Sequence, residues 1–243
     1  MESVRYAAMK AGLPYSQNLT DPRPVIFFDM DGVLTSEKSS WNYVNRTLGI
    51  DNSKNFENFK NNKISYEQFL KLDLALWIQS GKARNASTVM EILNRIPLFP
   101  GVEEGCRKLL KHSYNIVIVS GGIYWLAQRV GEIIGASEIY ANMIFARDGI
   151  IQPEGRAVVD PKNKGEIVKS YVSRKKPEFT ISVGDSPDDE SMFTNTDYSI
   201  SFNNDPDYEN IHGFNMRSSD FSDLAEFIIS IKEERDEIKR NKG

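Results

Sequence analysis

Asp29 and Asp31 stand two residues apart at the end of an apolar run, in Asp29-Met30-Asp31-Gly32-Val33-Leu34-Thr35. In an extended chain such residues project to the same side, so the two carboxylates share a face. Held together they repel, and one pKa rises unless a cation or a proton relieves the pair. Chemistry that uses such a pair is nucleophilic attack by Asp29, with Asp31 as general acid and then base. Gly32 permits the tight turn that follows. The same residues also suit a strand-to-loop turn whose Asp side chains accept from backbone N–H groups.

Three later segments supply what that chemistry needs. Ser120-Gly121-Gly122 follows the apolar run 116–119 and opens a helical pattern. Its glycines let a phosphate approach backbone N–H groups, and Ser120 adds a hydroxyl donor. Ser120 as a plain helix N-cap is the competing reading. Lys164, in Asn163-Lys164-Gly165, starts a helical pattern, where a cation opposes the macrodipole unless an anion stands nearby. It is expected to neutralise phosphate, with Lys162 as the rival candidate. Gly184-Asp185-Ser186-Pro187-Asp188-Asp189 ends a third run. Asp185 completes an oxygen site with Asp29 and the backbone carbonyl of Asp31, and such a carboxylate-poor site suits Mg²⁺ better than Ca²⁺. Asp189 is expected to support the metal, although Ser186-Pro187-Asp188-Asp189-Glu190 also reads as a capped helix start.

Elements of two kinds must position these residues. Residues 25–28, 116–119, 179–183 and 198–202 are short β-rich runs, apolar enough for a parallel sheet covered on both faces. Helical patterns at 102–112, 123–134 and 164–173 alternate with them, which argues for a doubly wound α/β core. Ligands in such folds lie beyond the carboxyl ends of the strands, where the acidic and Ser-Gly-Gly segments begin. Residues 36–97 contain no strand pattern and read as a small helical domain inserted after the first strand. The expected organisation is an extension over 1–24, a core over 25–35 and 98–243, and a helical cap over 36–97. Arg147-Asp148-Gly149 marks a hairpin turn, and residues 219–239 read as a C-terminal helix.

The chain has 243 residues, 40% hydrophobic and 26% charged, with a net charge of −4. That balance lacks the basic excess expected of a nucleic-acid or anionic-membrane binder. No apolar run approaches the roughly 20 residues that cross a bilayer. The single Cys106 fits a reducing compartment and a cytoplasmic protein. With only His112 and His212 present, histidine triads and His-rich zinc sites are poorly supported.

Together these four segments, in this order and spacing, resemble the haloacid dehalogenase-like hydrolase superfamily, and most of all its phosphoserine-phosphatase-like branch. The resemblance runs from about residue 25 to residue 227 and includes Ala141-Asn142 and Asn163-Lys164-Gly165-Glu166-Ile167. It implies a Rossmann-like core with a helical cap. It also implies an Mg²⁺-dependent phosphatase in which Asp29 takes up the phosphoryl group and Asp31 protonates the leaving alcohol. Asp29, Asp31, Asp185 and Asp189 would serve the metal; Ser120, Gly121, Gly122 and Lys164 would serve the phosphate. Asp31 argues against the superfamily's dehalogenases, which lack that residue. The branch uses a glutamate and a cap arginine to hold phosphoserine; here an ungapped reading places Lys38 and Asp73 there. The expected substrate is therefore another small phosphorylated metabolite, selected through Lys38, Trp41 and Asp73. A phosphomutase or phosphotransferase sharing the intermediate is the alternative, ahead of a non-catalytic binding protein. Oligomeric state is not legible.

Overall fold

The computed structural model describes residues 20–204 and 207–242. The extension expected over 1–24 falls mostly outside that range. Residues 21–24 belong to the core already: Asp21 N donates to Lys175 O at 2.7 Å, and Asn115 N to Pro24 O at 2.8 Å.

Seven strands form one sheet in the order β4-β3-β2-β1-β5-β6-β7. They are β1 (Val25–Phe28), β2 (Asn115–Ile123), β3 (Glu138–Arg147), β4 (Ile150–Arg156), β5 (Thr180–Gly184), β6 (Tyr198–Phe202) and β7 (Phe214–Met216). All neighbours pair in parallel except β3 and β4, the hairpin turned at Asp148-Gly149. Both faces are covered, as the uninterrupted apolar runs require. On β1 the period of two sends Val25 and Phe27 to one apolar cluster, with Val117, Val119, Val168 and Tyr171. Ile26 and Phe28 go to the other, with Ile116 and Ile118. Helix α7 (Lys164–Lys175) and the short α8 (Glu190–Phe193) cover the first face. The second is covered by α5 (Val102–Lys111), α6 (Tyr124–Ile134) and the C-terminal α9 (Phe221–Lys242). Cys106 is buried on α5, and burial pushes its thiol up to about 12. Strand β7 was not foreseen; Phe214-Asn215-Met216 alternates apolar and polar, but three largely exposed residues are too short a run to read as a strand.

Between β1 and α5 lie four helices and no strand: α1 (Ser40–Leu48), α2 (Ser53–Lys60), α3 (Tyr66–Gln79) and α4 (Ala86–Leu93). The insertion joins the core through two connectors tied to each other, Ser36 N to Pro97 O at 3.1 Å and Phe99 N to Leu34 O at 3.0 Å. Its apolar residues Val44, Leu70, Leu74 and Trp77 are continuous with the larger core cluster. Ile151 N on β4 donates to Arg84 O at 2.9 Å, so the insertion rests on the hairpin.

One buried ion cluster fixes β3 to α7. Glu138 accepts from Arg174 at 2.6 Å and from Tyr140 at 2.6 Å, with Lys175 at 3.4 Å. Burial would raise the Glu138 carboxyl, but the bonds from Arg174 and Tyr140 outweigh it and hold it below its ordinary value. A depressed folded pKa stabilises the fold above the unfolded value, and that contribution disappears as pH falls through the folded one. Glu138→Gln is therefore expected to cost about 1–3 kcal/mol near neutral pH. The deficit should shrink below about pH 4.3, the ordinary Glu value. Urea unfolding of both proteins at two pH values checks this.

Candidate active site

The carboxyl ends of β2, β1 and β5 lie side by side, with Phe28 in register with Ile118 on one flank and Val183 on the other. Asp29 N donates to Val183 O at 2.9 Å, which brings Asp29 and the Gly184-Asp185 segment together. Gly32 turns the chain at φ +81°, and a Cβ there would run into the Asp185 carboxylate. Glycine is required on both counts.

Lys164 is the centre of the arrangement. Its side chain is buried at the start of α7, and Nζ donates to Asp29 Oδ2 at 2.6 Å and Asp189 Oδ1 at 2.7 Å. The conflict between a cation and a helix N-terminus is thus resolved by two carboxylates. Lys162 does not compete: Nζ donates to Asn62 Oδ1 and lies 5.0 Å from the Phe59 ring centroid. Burial alone would lower the Lys164 pKa, but Asp189 and Asp29 outweigh it and raise it. Burial pushes the Asp29 carboxyl well above its ordinary value; Lys164 opposes this, while Asp189 and Asp185 add to it.

Asp31 sits apart from that ion triad. Its Oδ2 accepts from Ser40 N and Ser40 Oγ, both at 2.8 Å. Ser40 opens α1, so an N–H that the helix leaves unpaired is used to orient the acid. Oδ1 of Asp31 is buried and without a partner among the described residues. Burial raises the Asp31 carboxyl to about 6, against the bonds from Ser40. A carboxyl with an unpaired oxygen and a raised pKa is suited to hold and release a proton.

Ser120 is buried at the irregular end of β2, which runs on through Ile123 before α6 begins. It is therefore not the cap of α6, and its Oγ accepts from Gly122 N at 3.0 Å. The carbonyl of Gly121 accepts from three side chains, Trp41 Nε1 at 3.1 Å, Tyr66 Oη at 2.9 Å and Asn142 Nδ2 at 2.9 Å. Asn142 Oδ1 accepts in turn from Val158 N and Val159 N, binding this turn to the segment that leads to Lys164. Sequence reasoning missed Ser40 and Tyr66; the Ser39-Ser40 pair at the start of α1 was the only available signal for the first.

Oxygens of Asp29, Asp185 and Asp189 lie within 4.8 Å of one another, and all three residues are buried. The Asp31 carboxylate is not in this group, and its expected share was the backbone carbonyl. Asp189 is more than a helix cap: Oδ2 accepts from Asp185 N at 2.9 Å and Ser186 N at 3.1 Å, leaving Oδ1 to Lys164. Burial, then Asp189, raises Asp185 to about 6, with Lys38 opposing. Asp29, Asp31, Asp185 and Asp189 face the two ammonium groups of Lys164 and Lys38, leaving an excess of two negative charges when all are ionised. All donors are hard oxygens, with no thiolate or imidazole, so the residues fit Mg²⁺.

Lys38 and Trp41 line the cleft; Asp73 does not. Asp73 is buried within the insertion, accepting from Asn52 at 2.6 Å and Asn55 at 3.1 Å, so it is corrected from a substrate contact to an internal anchor. A one-residue register cannot be carried across helices of unknown length, which is why the ungapped reading misplaced it. Lys38 Nζ is paired with Asp185 Oδ2 and donates to Asn203 O at 3.1 Å. An ammonium on a carboxylate of the candidate metal site opposes cation binding, by about 1 kcal/mol even at the dielectric of bulk water. Lys38→Met is expected to tighten Mg²⁺ binding about three- to tenfold, read by calorimetric titration. Weaker binding in the variant would instead make Lys38 a holder of Asp185.

A family model for haloacid dehalogenase-like hydrolases matches residues 24–196. Phosphoserine phosphatase of Methanocaldococcus jannaschii is 26% identical over 185 residues, covering 74% of this chain and 85% of that protein. The Archaeoglobus fulgidus phosphoserine phosphatase is 28% identical over 211 residues, 82% of this chain and 59% of that protein. A solved phospho-aspartyl intermediate analogue of phosphoserine phosphatase shares the fold, with a TM-score of 0.68 at 22% identity over 85% of this chain and 99% of that one. A substrate-bound phosphoserine phosphatase complex gives 0.69 at 21% identity, with the same coverage of each chain. The chain belongs to the haloacid dehalogenase-like hydrolases, as a phosphoserine-phosphatase-like phosphoric monoester hydrolase.

Proposed function

We propose that the protein is an Mg²⁺-dependent phosphatase that hydrolyses a small phosphate monoester by way of a phosphoryl group carried on Asp29. The observation that carries this reading is the buried Lys164 held between Asp29 and Asp189, beside an Asp31 with a free oxygen. Asp29 forms the new P–O bond as the ester P–O bond breaks, and Asp31 gives its proton to the leaving alcohol oxygen. Asp31 then takes a proton from water, whose oxygen attacks phosphorus and releases phosphate, freeing Asp29. Lys164 and the Ser120-Gly121-Gly122 turn meet the charge on the phosphoryl oxygens, where positioning and electrostatics matter most. Asp29, Asp185 and Asp189 would hold or support Mg²⁺, which supplies further charge neutralisation when bound.

The substrate reading departs from that of the named relatives. The resemblance implies a carboxylate and a guanidinium for the amine and carboxylate of phosphoserine. The insertion lines the cleft with Lys38, Ser39, Trp41, Asn42 and aromatic rings, and with no carboxylate or guanidinium among the described residues. Among those residues no helix is long and apolar enough to cross a membrane, and the buried, free Cys106 supports a cytoplasmic setting. Phosphate release from a panel of monoesters, with Mg²⁺ or with EDTA, tests the proposal. Release that EDTA abolishes is expected. Transfer to an added alcohol without phosphate release would make the protein a phosphotransferase.

A further inference from the structure

Opposite the carboxylates, the wall of the cleft is built of aromatic side chains: Trp41, Phe56, Phe59, Tyr66 and Phe69. Phe59 stacks on Phe69 with centroids 5.3 Å apart and meets Tyr66 edge-on at 5.3 Å; Phe56 stands edge-on to Phe69 at 6.4 Å. Trp41 and Tyr66 spend their polar ends on Gly121 O, so what they offer the cleft is ring surface. Phe56 is 49% exposed, an apolar surface that water covers poorly. The chamber measures about 350 Å³, of the size that holds a small ligand.

The charges around that wall narrow its occupant. Asp73, the insertion's buried acid, is closed off by Asn52 and Asn55. Lys162 already lies over the Phe59 ring, and Lys38 is at the cleft floor beside Asp185. Asp188 lines the opposite, core side of the cleft. A quaternary ammonium, which otherwise favours aromatic cages, would meet two like charges and no insertion carboxylate. A zwitterion would find, among the described residues, no cleft-lining carboxylate on the insertion for its amine, and Lys38 is already paired with Asp185.

We infer that the aromatic wall formed by Phe56, Phe59 and Phe69 is a leaving-group subsite, and that the ester's alcohol carries a flat, uncharged aromatic ring. This rests on the phosphatase reading for its chemistry, while the subsite itself is a statement about binding. Ring against ring in an offset or edge-on arrangement adds to the gain from apolar burial. Such a pocket typically separates substrates by about 10- to 100-fold in kcat/KM.

The test compares 2-phenylethyl phosphate with ethyl phosphate, phosphoserine and phosphocholine. All four are alkyl esters, so differences reflect the pocket more than the leaving alcohol. The expected order places 2-phenylethyl phosphate first, about 10- to 100-fold above ethyl phosphate. Phe56→Ala, a change at a half-exposed position, should reduce that preference several-fold, chiefly through KM. Phosphoserine or phosphocholine in first place, or a preference unchanged in Phe56→Ala, would overturn the inference. Binding of 2-phenylethyl and ethyl phosphate to Asp29→Asn protein with Mg²⁺, by calorimetry, separates the two proposals. If no ester is hydrolysed yet the phenylethyl ester binds at least tenfold tighter, the subsite stands and the phosphatase reading falls. Equal binding of the two removes the subsite whatever the turnover.

Discussion

Asp29→Asn is expected to lower phosphate release at least about 10⁴-fold, the scale of loss when a nucleophile is removed from a site whose other parts remain. The amide has nearly the same shape as the carboxylate and keeps an oxygen for Lys164, but it cannot take up a phosphoryl group productively. The substitution also removes one of the carboxylates that crowd together in a buried space. Burial and the neighbours Asp189 and Asp185 already push the Asp29 carboxyl up, so losing its charge relieves repulsion. Thermal stability should therefore be maintained or improved while activity disappears, and measuring both on one preparation separates chemistry from unfolding. A variant retaining more than about one per cent of wild-type turnover would remove Asp29 from the nucleophile's role.

Lys164→Met is the second large effect, and it should appear first in stability. Methionine of similar length preserves the packing at the start of α7, yet it leaves Asp29 and Asp189 buried without their cation. Breaking a buried ion pair from one side costs about 3–5 kcal/mol. Without Mg²⁺ the variant should unfold at distinctly lower temperature or denaturant than wild type. With Mg²⁺ at a hundredfold over the variant's Kd, and the same concentration used for wild type, binding returns about 2.7 kcal/mol to the variant. The gap between the two conditions should be wider in the variant than in wild type, because its site carries one more unbalanced negative charge. Turnover should also fall, by about 10²–10³, the usual effect of losing one donor to a developing anion. Stability unchanged without metal would mean the two carboxylates find another partner.

Much of this was legible because each motif combines a residue type with an abrupt end of an apolar run. Asp29, Ser120 and Asp185 follow runs that become β1, β2 and β5, and parallel strands in neighbouring order put their carboxyl ends together. Lys164 was singled out by its place in the order of the segments rather than by its local sequence, and two carboxylates resolve the mismatch between its charge and its place at a helix start. Less of the insertion could be read. Its helices were foreseen from periodicity, but which side chains face the cleft depends on how α2 and α3 pack, and no local pattern carries that. Asp73 shows the consequence, as a charge that two asparagines bury inside the insertion. Phe56 and Phe59 show the reverse: on α2, which contains no buried residue, their rings line the cleft instead. Ser40 and Tyr66 were missed because each acts across more than fifty residues or on a single carboxylate oxygen. The hydrogen bond reveals them, and the sequence around them does not.

The most direct measurement is to mix wild-type protein with Mg²⁺ and 2-phenylethyl phosphate, quench in acid within the first turnover, and map the added phosphoryl group by peptide mass spectrometry. A phosphoryl group on the peptide containing Asp29, absent from the Asp29→Asn protein, is the predicted result. Phosphate release at full rate with no phosphorylated peptide trapped at any quench time, or a phosphoryl group on a different residue, would contradict it.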